Sequence, residues 1–170
     1  KDRMYVNKED SAKRRAAQTV IFRILVSLTK LIAPILSFTS QEIWEAIPAF
    51  NGKQKYVACE DIDLPGSWSL TDDEWAKWDE IIKIRDDVRK ALEEARNAKV
   101  IGASLEAEVC LNCADALYDF AKPLEAQLAE LCIVSKVVVG KGDEGRKGDM
   151  EGLAVTVAHA KGEKCARSWM

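Results

Sequence analysis

Histidine is nearly missing from this chain: His159 is the only one in 170 residues. It stands in an alternating apolar/polar stretch with no acid–base partner near it, so it reads as a partly exposed strand residue rather than a catalytic one. No Walker-type phosphate loop is present. Gly140-x-Gly142-x-x-Gly145 has the letters of a dinucleotide fingerprint but leads into Lys147, Gly148 and Asp149 instead of a helix, so it reads as a hairpin turn. Long apolar runs are also lacking. Arg23, Lys30 and Pro34 interrupt the most hydrophobic stretch too soon for a membrane span, and no membrane partner is expected. The opening Lys1-Asp2-Arg3-Met4 has neither the apolar centre of a secretory leader nor an initiating Met, which points to a piece of a larger protein. The five cysteines (59, 110, 113, 132 and 165) are an odd, scattered set. They read as reduced thiols of a cytoplasmic protein rather than a disulfide framework.

What is present suffices for a folded core. Hydrophobic residues make up 48% and charged residues 31% of the chain, enough for one ordinary domain or two small ones. The net charge of −3 excludes a uniformly basic nucleic-acid binder. Its distribution is uneven, however: residues 1–30 hold eight Lys/Arg against three Asp/Glu. A basic end on an acidic body meets a polyanion on one face only.

Residues 11–36 carry a helical period that groups Val20, Ile21, Ile24, Leu25, Leu28, Leu31, Ile32, Ile35 and Leu36 on one face. Arg15, Thr19, Arg23 and Lys30 fall opposite, and Pro34 ends or kinks the helix. Thr39 with Glu42 has capping-box spacing and Phe38 with Ile43 staple spacing, predicting a short helix to about Ile47. Residues 49–70 read as a long connection. The same device recurs at Thr71, Glu74, Leu70 and Trp75, opening a helix to about Ala98. Trp75, Trp78, Ile81, Ile82, Val88, Leu92 and Ala95 line its buried side, and Gly102 marks its exit. Its charges pair at i,i+4 as Asp79/Lys83, Asp86/Lys90 and Arg89/Glu93. Beyond it the period falls to two. Strands are predicted over 105–111, 133–139 and 153–160, with a helical stretch over 115–131 broken at Pro123 and a turn over 140–152. The fold class is therefore mainly α with a small α+β unit, divided into residues 1–101 and 102–170.

Cys110-x-x-Cys113 has no second pair and no nearby histidine, so buried thiols are the simpler reading. Cys165-Ala166-Arg167-Ser168-Trp169 looks like half of a zinc knuckle, with Ser168 where the second cysteine would stand. Zinc needs four soft ligands, so no metal is expected. Lys13, Arg14, Arg15, Arg23 and Lys30 are candidates for phosphate contact, against the plainer reading of a solvated helix face.

Several segments together resemble the C-terminal anticodon-binding region of bacterial isoleucyl-tRNA synthetases, within class Ia. They are Lys1-Asp2-Arg3-Met4-Tyr5, the Ala33-Pro34…Phe38…Glu42-Ile43-Trp44 stretch, residues 85–96, Ile101-Gly102-Ala103-Ser104-Leu105-Glu106-Ala107, and Glu163-Lys164-Cys165-Ala166-Arg167. The Ala-Pro…Glu-x-Trp stretch is shared with valyl and leucyl enzymes. The opening segment and the terminal knuckle favour isoleucine. The resemblance implies a class Ia anticodon-binding helical bundle over 1–101, followed by a subdomain of about three strands and one or two helices. It implies a role in holding the anticodon stem-loop of isoleucine tRNA, while ATP-dependent aminoacylation is carried out by catalytic and editing domains upstream on the same polypeptide. The segment itself would then be inactive and need no cofactor, although the parent uses ATP and, by family, zinc. Cys165 is then a remnant of the family's zinc motif, with Ser168 in place of a ligand. The alternatives are a valyl or leucyl fragment, or a helical protein-interaction module.

Overall fold

The computed structural model describes residues 2–62 and 69–162; the tail with Cys165 and Ser168 lies outside the described residues. The chain divides into two compact units, Lys1–Ser69 and Leu70–Met170.

The first unit is helical. A short α1 (Asp2–Tyr5) precedes α2 (Ala12–Ile32) and α3 (Ser37–Ala46). Ser11 caps α2, its hydroxyl accepting from the Arg14 amide at 3.3 Å. The predicted apolar face of α2 is not the one it buries. Val26 and Ala33 pack with Trp44, Ile47 and Val57, with Phe22 and Phe50 against them. Val20, Ile21, Ile24, Leu25, Leu28 and Leu31 stay exposed. The reason is the supply of partners. In this unit the apolar surface comes from α3 and the 47–57 segment, and it meets the side of α2 that carries Phe22, whose ring stands edge-on to Phe50 at 5.7 Å. The buried Trp44 donates its indole N–H to the Gln54 carbonyl at 2.9 Å. Lys53 donates to the Trp44 carbonyl at 2.7 Å and to that of Ile47, covering orphan carbonyls at the end of α3. The Thr39 capping box does not form. Instead α3 starts at Ser37, whose hydroxyl donates to the Ala33 carbonyl, and Phe38 is exposed rather than stapled.

The second unit is built on α4 (Asp72–Asn97) and a mixed four-stranded sheet. The Thr71 capping box forms as predicted: Thr71 Oγ1 accepts from the Glu74 amide, and Glu74 Oε2 accepts from the Thr71 amide at 2.9 Å. These hydrogen bonds from Thr71 hold the Glu74 carboxyl below its usual range. The exit of α4 is made by Lys99 in the left-handed conformation rather than by Gly102. The Val100 and Lys99 amides return to the Ala95 and Arg96 carbonyls, a Schellman closure. Ile81, Ile84, Val88, Ala91 and Leu92 are buried, whereas Trp75, Trp78 and Ile82 are exposed, contrary to the predicted stripe.

The strands are β1 (Ala107–Cys113), β2 (Lys136–Lys141), β3 (Arg146–Lys147) and β4 (Leu153–His159), in the order β2-β1-β4-β3. β1 and β2 are parallel, with Val109 opposite Val137, and the other pairs are antiparallel. A parallel pair needs a crossover, which α5 (Asp115–Ala121) and α6 (Glu125–Cys132) supply, with Pro123 in the 3₁₀ turn between them. Inward residues of β1 alternate as predicted, and Val109 and Leu111 pack with Val88, Leu128 and Val155. Alpha-helix α4 therefore shares its core with the sheet, and the compact division falls between Ser69 and Leu70 rather than near 101.

Asp87 fixes the turn between β3 and β4 to α4. Its carboxylate is buried and accepts from the Asp149 amide at 3.0 Å and the Met150 amide at 2.9 Å. A Cβ on Gly148 would lie 2.1 Å from the carboxylate carbon, so only glycine lets the backbone approach this closely. Asp87→Ala strands two donors and should cost about 3 kcal/mol, and Gly148→Ala a comparable amount by steric clash. Urea unfolding of both variants, followed by circular dichroism, measures these costs, and amide exchange at Met150 should quicken in each.

Candidate nucleic-acid interface

The five predicted contact residues lie on or beside α2, but the structure does not keep them equivalent. Lys30 turns into the fold: its ammonium pairs with Glu60 at 3.3 Å, and each side chain retains only 10% exposure. Glu60 also accepts from the Gln54 amide at 2.7 Å, so this pair ties α2 to the segment after α3. Lys30 is thereby held by an ion pair within the first unit, and removing it would leave the largely covered Glu60 carboxylate without that cation. Arg14 is half-buried and donates to the Asn7 carbonyl at 3.2 Å, bracing the α1–α2 connection. Lys13, Arg15 and Arg23 are exposed. Arg15 and Arg23, eight residues apart, are separated by about 12 Å along the helix axis, a spacing that spans more than one phosphate of an RNA strand. Sequence reasoning placed these cations opposite the face expected to pack. The face that does pack lies next to them and draws in Lys30.

The tryptophans separate in the same way. Trp44 is core, while Trp75 and Trp78 on the first turns of α4 are exposed, at 54% and 38%. The charge pairing along α4 also differs from expectation. Lys83 pairs with Glu80, Lys90 with Asp149, and Glu93 with Arg96. Glu93 is thus engaged by the arginine three residues on rather than by Arg89, which the i,i+4 rule had assigned to it.

His159 is exposed and its Nδ1 lies 3.0 Å from the Ala160 carbonyl. Among the described residues no group of three or more His, Cys, Asp or Glu side chains is arranged to hold a metal. The half-knuckle with Cys165 and Ser168 lies outside the described residues. Cys113 points into the core and Cys110 to the other face of β1, so the two do not converge. Among the described residues no helix is long and apolar enough to cross a membrane.

The family model described as the anticodon-binding domain of tRNA ligase matches residues 1–111. The chain belongs to that family. The match runs through α4 and most of β1, past the compact boundary at Ser69. Relatives are similar over nearly the whole chain. An isoleucine–tRNA ligase from Staphylococcus carnosus is 45% identical over 99% of it, one from Syntrophotalea carbinolica 44%, and one from Glaesserella parasuis 41%. In each case the chain spans 18% of the relative's length.

Burial pushes the Cys113 thiol up to about 11, with the neighbouring Cys110 adding to the shift. Burial likewise pushes Cys132 up to about 11. Since the thiolate is the reactive form, neither should alkylate at pH 8 while the chain is folded. Iodoacetamide labelling followed by peptide mass mapping should mark the exposed Cys59 early, and Cys113 and Cys132 only after denaturation.

Proposed function

We propose that the chain is the anticodon-binding and C-terminal portion of an isoleucine–tRNA ligase and that it holds the anticodon stem-loop of isoleucine tRNA. The similarity to isoleucine–tRNA ligases over 99% of the chain carries this reading. It favours isoleucine over the valyl and leucyl alternatives. ATP-dependent activation and transfer then belong to catalytic and editing domains elsewhere on the parent polypeptide, which acts in the cytoplasm. Residues 1–101 form the anticodon-binding domain in this reading, which takes in α4 as the family match through 111 does, although α4 packs its core side on the sheet. Residues 102–170 form the C-terminal subdomain. No step is assigned to zinc here.

Phosphate contacts position an RNA, while splayed bases specify it. Arg15 and Arg23, with Lys13 near the start of α2, are the cations of the original five whose exposure suits phosphate contact. Lys30 and Arg14 support the helix that carries them. The exposed apolar face of α2 suits a junction with the rest of the parent, which in the relatives is several times longer than this chain.

Filter binding of isoleucine tRNA and valine tRNA to the chain, repeated at several salt concentrations, tests the proposal. Isoleucine tRNA should bind more tightly, and the chain should give no isoleucine-dependent pyrophosphate exchange. Arg15→Glu with Arg23→Glu should weaken binding about tenfold and lower the log–log salt slope by about 2. An unchanged slope would remove these two residues from the interface, and absence of tRNA binding at low salt would overturn the function.

A further inference from the structure

Two grooves flank α4, and they differ in charge. The larger, of about 670 Å³, is lined by four carboxylates (Asp86, Asp87, Glu93 and Asp149) against Lys83, Arg89 and Lys90, so a polyanion gains nothing there. The smaller, of about 340 Å³, reverses the balance. Arg85, Arg89 and Arg96 wall it, with Glu93 the lone carboxylate, and Leu131, Cys132 and Ile133 close the far side. The three arginines are spaced i, i+4 and i+11, which puts their side chains on one stripe of the helix.

The guanidiniums are not equally committed. Arg96 is held by Glu93 and donates to the Ser104 hydroxyl at 3.2 Å, which fixes its position. Arg85 and Arg89 make no ion pair among the described residues. Arg85 and Cys132 line the same groove from its two sides. The opposite wall is unusual. Ile133, a β-branched residue, closes α6 in the left-handed conformation at φ 58°, ψ 50° and remains 61% exposed. Holding such a residue there costs free energy that its own burial does not offset. The result is an apolar wall facing a row of forked donors. That combination suits one ligand chemistry, a phosphodiester beside a flat or sugar ring.

We propose that this groove between α4 and the end of α6 binds the backbone of an RNA strand. Arg85 and Arg89 clasp a phosphodiester, Arg96 orients its neighbour, and the adjoining ribose or base rests on Leu131 and Ile133. The inference rests on the tRNA-binding reading above and extends it to a contact in the second unit, on residues distinct from Arg15 and Arg23. Glu93 opposes the ligand and sets an upper limit on its affinity.

The test measures binding of isoleucine tRNA transcript to the full 170-residue chain between 50 and 200 mM salt, with circular dichroism as the folding control. Arg85→Gln with Arg89→Gln should lower affinity about tenfold and reduce the salt slope by about 2. Glu93→Gln should raise affinity several-fold, a gain that structural damage does not produce. If the double variant fails to fold, single Arg89→Gln and Glu93→Gln carry the test with the same opposed signs. Wild-type binding with unchanged affinity and slope in the variants overturns the groove alone. Equal displacement of the tRNA by polyglutamate of matched charge also overturns it, because the site would then accept any acidic chain. Failure of the wild-type chain to bind tRNA overturns the function itself, and the groove falls with it.

Discussion

The second unit depends on one buried carboxylate. Asp87 sits in the middle of α4, on the face that packs against the sheet, and accepts hydrogen bonds from two backbone amides of a distant turn. A buried carboxylate is tolerated when each lone pair finds a donor, and here the donors come from residues more than sixty positions away in sequence. That arrangement sets the distance between helix and turn, leaves room for a residue without a side chain at Gly148, and brings Asp149 to Lys90. The hydrogen bond from Lys90 holds the Asp149 carboxyl below its usual range. The ion pair is an exposed consequence of the clamp rather than its cause.

Glu125 performs a related task at the sheet edge. It accepts from the Val139 amide on β2 at 2.7 Å and from Lys122. An edge strand with open amides invites pairing with another chain, and a carboxylate placed on one of them blunts that tendency. At the other edge β3 is two residues long, too short to template anything. The sheet is thus finished by side chains and by brevity, so its four strands suffice for a closed core with α4 and α6.

The features legible in the sequence were those whose cause is local. The Thr71 box depends on residues three apart and forms as read. The alternation in β1 follows from the two-residue period of a strand, and the break at Pro123 from a missing amide hydrogen. What was illegible depended on distant partners. The apolar period of α2 identified a helix but not which side would pack, because Trp44, Val57 and Phe50 decide that from elsewhere in the chain. Lys30 read as a solvent cation until Glu60 was found beside it. Trp75 and Trp78 have core spacing yet remain exposed, since the shared core of α4 begins only at Ile81. The stripe of arginines at 85, 89 and 96 was not read from the sequence, where Arg89 entered only as a partner of Glu93. Pairing rules assigned Glu93 to Arg89, and only the tertiary fold shows that it turns to Arg96.

The two-faced character of α2 has a thermodynamic consequence. One side is fixed within the first unit by Trp44 and its neighbours. The other, with Ile24, Leu28 and Leu31, contributes nothing to stability until something covers it. The folding free energy of the first unit is therefore not a property of that unit alone, but rises with whatever docks on the helix. The exposed aliphatic residues Val20, Ile21, Ile24, Leu25, Leu28 and Leu31 pull in opposite directions. Replacing them with polar residues improves the solubility of the isolated chain and weakens the attachment of anything that docks on that face. Their exposed area is a reserve of binding free energy, drawn on at assembly and a liability before it.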